Sequence, residues 1–80
     1  YAYVNIGNAF QMMAKIDSSI KYYRNAIYVD STYAGAWANL GVAYQTSGNF
    51  LDAQKAFGKA AVFDGRYNNL LQRRDDMPLK

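Results

Sequence analysis

A shift of 34 residues lays this chain on itself. Residues 1–33 set against 35–67 give nine identical pairs: Ala2/Ala36, Asn5/Asn39, Gly7/Gly41, Ala9/Ala43, Gln11/Gln45, Lys21/Lys55, Ala26/Ala60, Asp30/Asp64 and Tyr33/Tyr67. Ordinary residue usage would give about two by chance. Tyr3/Trp37, Ile6/Leu40, Phe10/Tyr44, Ile16/Phe50, Tyr23/Phe57 and Val29/Phe63 keep their type. A fixed period of this size marks a repeat architecture, in which each unit buries its apolar face only against its neighbours. About three units are normally needed for stability. Two units in 80 residues therefore read as a piece of a longer array, or as a chain that pairs with another.

Within each unit the apolar residues fall on two helical stripes. Ala36, Trp37, Leu40, Ala43 and Tyr44 recur at three- and four-residue spacing, as do Phe50, Ala53, Ala56, Phe57, Ala60, Ala61 and Phe63. Thr46-Ser47-Gly48-Asn49 between them is turn chemistry, with Gly48 suited to a left-handed helix end. In the first unit Tyr3, Ile6, Ala9, Phe10 and Met13 form one stripe, and Ile20, Tyr23, Ala26 and Ile27 the next. The turn there is expected at Ala14-Lys15-Ile16-Asp17. The pairs Gly7/Ser19 and Gly41/Ala53 are expected to face each other and let the two helices approach. Asp17 and Asp52 fall near the starts of second helices, where negative charge suits the helix dipole.

Trp37, Leu40-Gly41, Tyr44, Gly48, Ala53, Phe57 and Ala60 match the spacing and type of the tetratricopeptide repeat signature. Tyr3, Ile6-Gly7, Phe10, Ala14, Ser19, Tyr23 and Ala26 follow it more loosely. The chain resembles that family over residues 1–67. The resemblance implies an all-α fold, with helix-turn-helix repeats at 1–33 and 34–67 stacked as a short right-handed α-solenoid. A capping helix and tail are expected at 68–80, ending before Pro78 because the residue before a proline disfavours helix. Ser31 and Gly65 depart from the family, which commonly has proline just after the second helix.

Composition excludes much chemistry. The chain has no Cys and no His, which removes disulfides, thiol and imidazole catalysis and the usual zinc ligand sets. The six acids are all Asp; Asp17, Asp30, Asp52 and Asp64 fall at helix ends and read as caps, with Asp75 and Asp76 in a polar tail. The six glycines are scattered and make no phosphate loop. A net charge of +3 is far from the basic stripe of a nucleic-acid binder. Lys21, Arg24, Lys55 and Lys59 read as a solvated outer face, and Tyr22 and Tyr28 as candidates for exposure. No apolar run approaches the roughly 20 residues that span a bilayer. No enzyme activity, cofactor, metal, nucleic acid or membrane insertion is expected.

The resemblance implies a non-catalytic interaction scaffold that takes an extended peptide on the concave face lined by first helices. By register that face holds Asn5, Asn8, Gln11 and Met12 from the first unit and Asn39, Val42, Gln45 and Thr46 from the second, with Arg73 in the tail. Val4 and Ala38 are expected there as shallow apolar pockets. Side-chain amides carry both donors and acceptors and can pair with peptide N–H and C=O groups. Asn5 and Asn39, one period apart, resemble an asparagine ladder. Asn8, Asn39 and Arg73 also fall where part of the family clamps a terminal carboxylate, but Val4 and Asn69 stand where that clamp has lysines. Two further readings remain: a structural piece of a larger assembly, through self-association or neighbouring repeats, and the substrate-recruiting arm of an enzyme whose catalytic domain lies elsewhere.

Overall fold

The computed structural model describes residues 2–67. These form α1 (Ala2–Met12), α2 (Ile16–Val29), α3 (Ala34–Thr46), α4 (Phe50–Phe63) and a closing 3-10 turn, η1 (Gly65–Tyr67). No strand occurs among the described residues. The expected cap at 68–80, with Arg73, lies outside them. Each repeat is an antiparallel helix pair, α1 with α2 and α3 with α4, and α2 packs on α3 to join the pairs.

The sequence explains where each first helix stops. Phe10 O accepts from Lys15 N and Gln11 O from Ala14 N; Tyr44 O accepts from Asn49 N and Gln45 O from Gly48 N. This is the same pair of bonds twice, and it requires a left-handed residue just past the helix. Gly48 supplies φ +88° without strain, whereas Ala14 is held at φ 62°. A Cβ in that conformation costs about 1–2 kcal/mol. The sharp bend completes the first turn within Met13–Lys15, so Ile16 and Asp17, expected in the turn, begin α2 instead. Ala14→Gly is expected to raise stability by about 0.5–1 kcal/mol, since relieved strain outweighs the added freedom of the unfolded chain. A urea midpoint unchanged or lowered by this substitution would contradict it.

The core runs along α3. Ala36 and Ala43 are fully covered and Leu40 nearly so, joined by Val4, Tyr23, Ala26 and Ala56. Small residues dominate α3 because it is covered from two sides, by α2 and α4. The matching stripe of α1 is covered less: Tyr3 is 41 % exposed, Ile6 39 % and Met13 56 %, against 4 % for Leu40, while Phe10 is half-buried. Periodicity correctly marked these residues as one apolar face. Burial, however, needs a helix in the position that α2 takes on α3, and among the described residues α1 has none. Phe50 and Phe63 at the ends of α4 are exposed as well.

The glycines differ from expectation in what they face. A Cβ on Gly7 would come within 2.7 Å of Tyr23 Cε1, and one on Gly41 within 2.5 Å of Phe57 Cε1. Ser19 and Ala53 are buried, yet what each glycine accommodates most closely is an aromatic ring, not its small partner. Ser19 Oγ donates to Ile16 O at 2.7 Å. Between the repeats, proline is replaced by hydrogen bonds. Tyr33 N donates to Asp30 O at 3.1 Å, and Trp37 Nε1 donates to Ser31 O at 2.8 Å.

Candidate functional site

The amide-bearing surface is built on α1 and α3. Three- and four-residue spacing puts Asn5, Asn8 and Met12 on one face of α1, and Asn39, Val42 and Thr46 on the matching face of α3. Asn5, Asn8, Met12, Val42 and Gln45 are exposed, while Gln11 and Asn39 are half-buried. None of them is charged. Val4 and Ala38 depart from the expected groove: both are buried. Val4 packs into the core cluster with Leu40, because its place on α1 looks toward the seam with α3 rather than into the open face. The apolar contacts left on this surface are therefore Met12, 87 % exposed, and Val42.

The amides divide into two kinds. The Tyr23 hydroxyl, on a side chain with no exposed surface, donates to Asn8 Oδ1 at 2.5 Å and lies 2.8 Å from Gln11 Oε1. A hydroxyl has one hydrogen to give, so it bonds one of the two amide oxygens at a time, with the other within hydrogen-bond distance. Asn8 and Gln11 are thus fastened to α2. Burial raises the Tyr23 pKa above its ordinary value. The second repeat has no such tie: register places Val42 opposite Asn8, Gln45 opposite Gln11 and Phe57 opposite Tyr23. The hydroxyl and its asparagine partner are exchanged together for apolar groups. That paired exchange stands in the sequence and was the available signal for the contact.

By contrast, among the described residues the amides of Asn5, Asn39 and Gln45 make no side-chain hydrogen bond. They are at liberty to meet a ligand. Thr46 Oγ1 is turned back onto Val42 O at 3.0 Å.

Asp30 and Asp64 fill structural positions, whereas Asp17 and Asp52, expected as caps, lie in the first turns of α2 and α4 without a side-chain hydrogen bond among the described residues. Asp30 accepts from Thr32 N and Thr32 Oγ1, and Asp64 accepts from Arg66 N and its guanidinium. The Thr32 hydroxyl lowers the Asp30 pKa, and the Arg66 side-chain bonds lower that of Asp64 and raise that of Arg66. Among the described residues no three His, Cys, Asp or Glu side chains gather where they could hold a metal ion. There, too, no helix is long and apolar enough to cross a membrane. Lys21, Arg24, Lys55 and Lys59 are exposed, with Lys59 Nζ 5.9 Å from the Trp37 ring centre. Tyr28 is exposed as expected, but Tyr22 is half-buried against Phe10.

A hollow lies on the other side of α3 from the amide surface. It has a volume of about 390 Å3, and helices α2, α3 and α4 all contribute to its wall.

Comparison with known proteins gives a consistent picture. A family model described as tetratricopeptide repeat matches residues 1–33 and 34–61. Superkiller protein 3 of Schizosaccharomyces pombe is 35% identical over 46 residues, which is 58% of this chain and 3% of that protein. The chain thus spans a very small part of the curated relative it matches. The crystal structure of MamA aligns with a TM-score of 0.79 at 28% sequence identity, covering 80% of this chain and 37% of that one.

Proposed function

The chain belongs to the tetratricopeptide repeat family, whose arrays are scaffolds for protein–protein interaction, and we propose that it holds an extended, largely uncharged protein segment across α1 and α3. The observation that carries this reading is the pair Asn5 and Asn39. They stand one period apart on neighbouring helices, and among the described residues neither amide is spent on an internal hydrogen bond. Each offers two donors and an acceptor, enough to bond both N–H and C=O of one peptide unit. Gln45 adds a third free amide, and Met12 and Val42 add apolar contact. Asn8 and Gln11, tied to Tyr23, border the surface and keep its first-repeat edge rigid.

The test starts from an uncharged ten-residue peptide selected by display against this chain. Asn5→Ala and Asn39→Ala should each weaken that peptide by up to about tenfold, the usual worth of one net hydrogen bond. Gln11→Ala should act chiefly on stability. Unchanged affinity in the Asn5/Asn39 double variant would sink the reading.

A second reading rests on the uncovered apolar face of α1. Tyr3 and Ile6 repeat as Trp37 and Leu40, which α2 covers. A neighbouring repeat or subunit would cover them in the same way, making this segment part of a larger assembly. Sedimentation over a hundredfold concentration range tests it, and a stable monomer throughout would count against self-association as the means.

A further inference from the structure

The two repeats differ in one place where the first is filled and the second is hollow. On α2 the Tyr22 ring stacks on Phe10, with centroids 5.5 Å apart and planes 17° from parallel, and meets Tyr3 at 6.2 Å. The 34-residue register carries Phe10 to Tyr44, Tyr3 to Trp37 and Tyr22 to Ala56. Repeat 2 therefore keeps both aromatic residues of the first helix and removes the ring laid over them. The hollow of about 390 Å3 stands at that place, bordered by Trp37, Leu40, Tyr44, Ala56 and, across from them, Ile27. Leu40 and Ala56 are buried, and Ile27, Trp37 and Tyr44 half-buried. Arg24, Tyr28 and Asp52, which also line it, are exposed and mark its mouth.

We propose that this hollow receives one aromatic side chain, a tyrosine by its chemistry, from a partner protein. The incoming ring would lie over Tyr44 and Trp37 as Tyr22 lies over Phe10 and Tyr3. The volume falls within the roughly 300–1,000 Å3 of ordinary ligand sites, with an apolar floor and few polar groups. Aromatic rings gain from offset stacking beyond the area they bury. The phenol hydroxyl can meet Arg24 or Asp52 at the mouth. The same guanidinium and carboxylate suit the C=O and N–H groups that flank a side chain in a polypeptide, which favours a protein segment over a free phenol. Helical spacing puts Trp37, Leu40 and Tyr44 on the opposite side of α3 from Asn39 and Val42, so this site is independent of the amide surface.

Trp37 is the only tryptophan, so its indole N–H gives a single signal in nitrogen-15 NMR. We would titrate p-cresol, N-acetyl-tyrosinamide and N-acetyl-leucinamide while following that signal. The first two should shift it saturably, N-acetyl-tyrosinamide binding several-fold tighter, and the leucine compound should not. Ala56→Tyr, which rebuilds the first repeat's ring, should abolish both shifts and raise the thermal midpoint. Should that variant fail to fold, nuclear Overhauser contacts between the probe ring and the Ala56 methyl of the unsubstituted chain decide. No saturable shift, shifts that persist in Ala56→Tyr, or absent Ala56 contacts overturn the site. Binding of p-cresol without N-acetyl-tyrosinamide overturns the assignment to a protein side chain.

Discussion

Gly41→Ala should lower folding stability by about 2 kcal/mol, although alanine is the better helix former. Propensity alone would favour the change by about 1 kcal/mol in the interior of α3. The opposing term is steric. The new methyl would sit 2.5 Å from Phe57 Cε1 and 2.6 Å from Cδ1, well inside contact distance. Phe57 is 6 % exposed and held in the seam between α3 and α4, so the ring can retreat only by spreading the helix pair. Overpacking of this kind typically costs about 1–3 kcal/mol and sometimes more. Gly7→Ala should have the same sign, against the ring of Tyr23. Urea unfolding followed by Trp37 fluorescence measures both. Phe57→Leu placed in the Gly41→Ala background should cost less than it does alone, because the smaller side chain makes room. An unchanged midpoint in Gly41→Ala would show that the ring yields freely and that the glycine is not required.

How legible the fold was depended on whether a residue's surroundings lie within its own repeat. The limits of α3 and α4 could be read because Gly48-Asn49 and Asp64-Gly65 carry turn chemistry in their own side chains. The first turn was misplaced by two residues because Ala14 holds the left-handed position without the glycine that announces it. Burial on α1 was overestimated at Tyr3, Ile6 and Met13 because periodicity reports which side of a helix is apolar, not whether anything covers it. Val4 failed in the opposite direction: register placed it on the open face, but its neighbour across the seam is α3. Of the expected surface, Asn5, Met12, Asn39, Val42 and Gln45 remain available on α1 and α3. Asn8 and Gln11 were harder to read, since their partner Tyr23 lies 15 and 12 residues away. Comparing the repeats position by position would have found that tie, because Asn8 and Tyr23 change together to Val42 and Phe57.

Tyr23→Ala should be the most damaging single substitution considered, at about 3–5 kcal/mol, the usual loss for deleting a buried aromatic ring. Small domains hold only about 5–15 kcal/mol in total, so the variant should be partly unfolded near physiological temperature. Tyr23→Phe separates the ring from its hydroxyl. It should cost about 1 kcal/mol, because Asn8 is exposed and water can replace the lost bond. Asn8→Val made together with Tyr23→Phe rebuilds the native pairing of repeat 2, and should cost less than the sum of the two single changes. Additive losses would mean that the Asn8 contact contributes nothing of its own. The hydroxyl also carries a pH signature of definite sign. Burial raises its folded pKa, so the fold favours the protonated phenol. That contribution is fully present below the unfolded value of about 10 and is lost as pH rises through the higher folded value. The stability gap between the unsubstituted chain and Tyr23→Phe should therefore be wide at neutral pH and close in strong alkali. A gap that stays constant from neutral to alkaline pH would place the hydroxyl in water, outside the triad with Asn8 and Gln11.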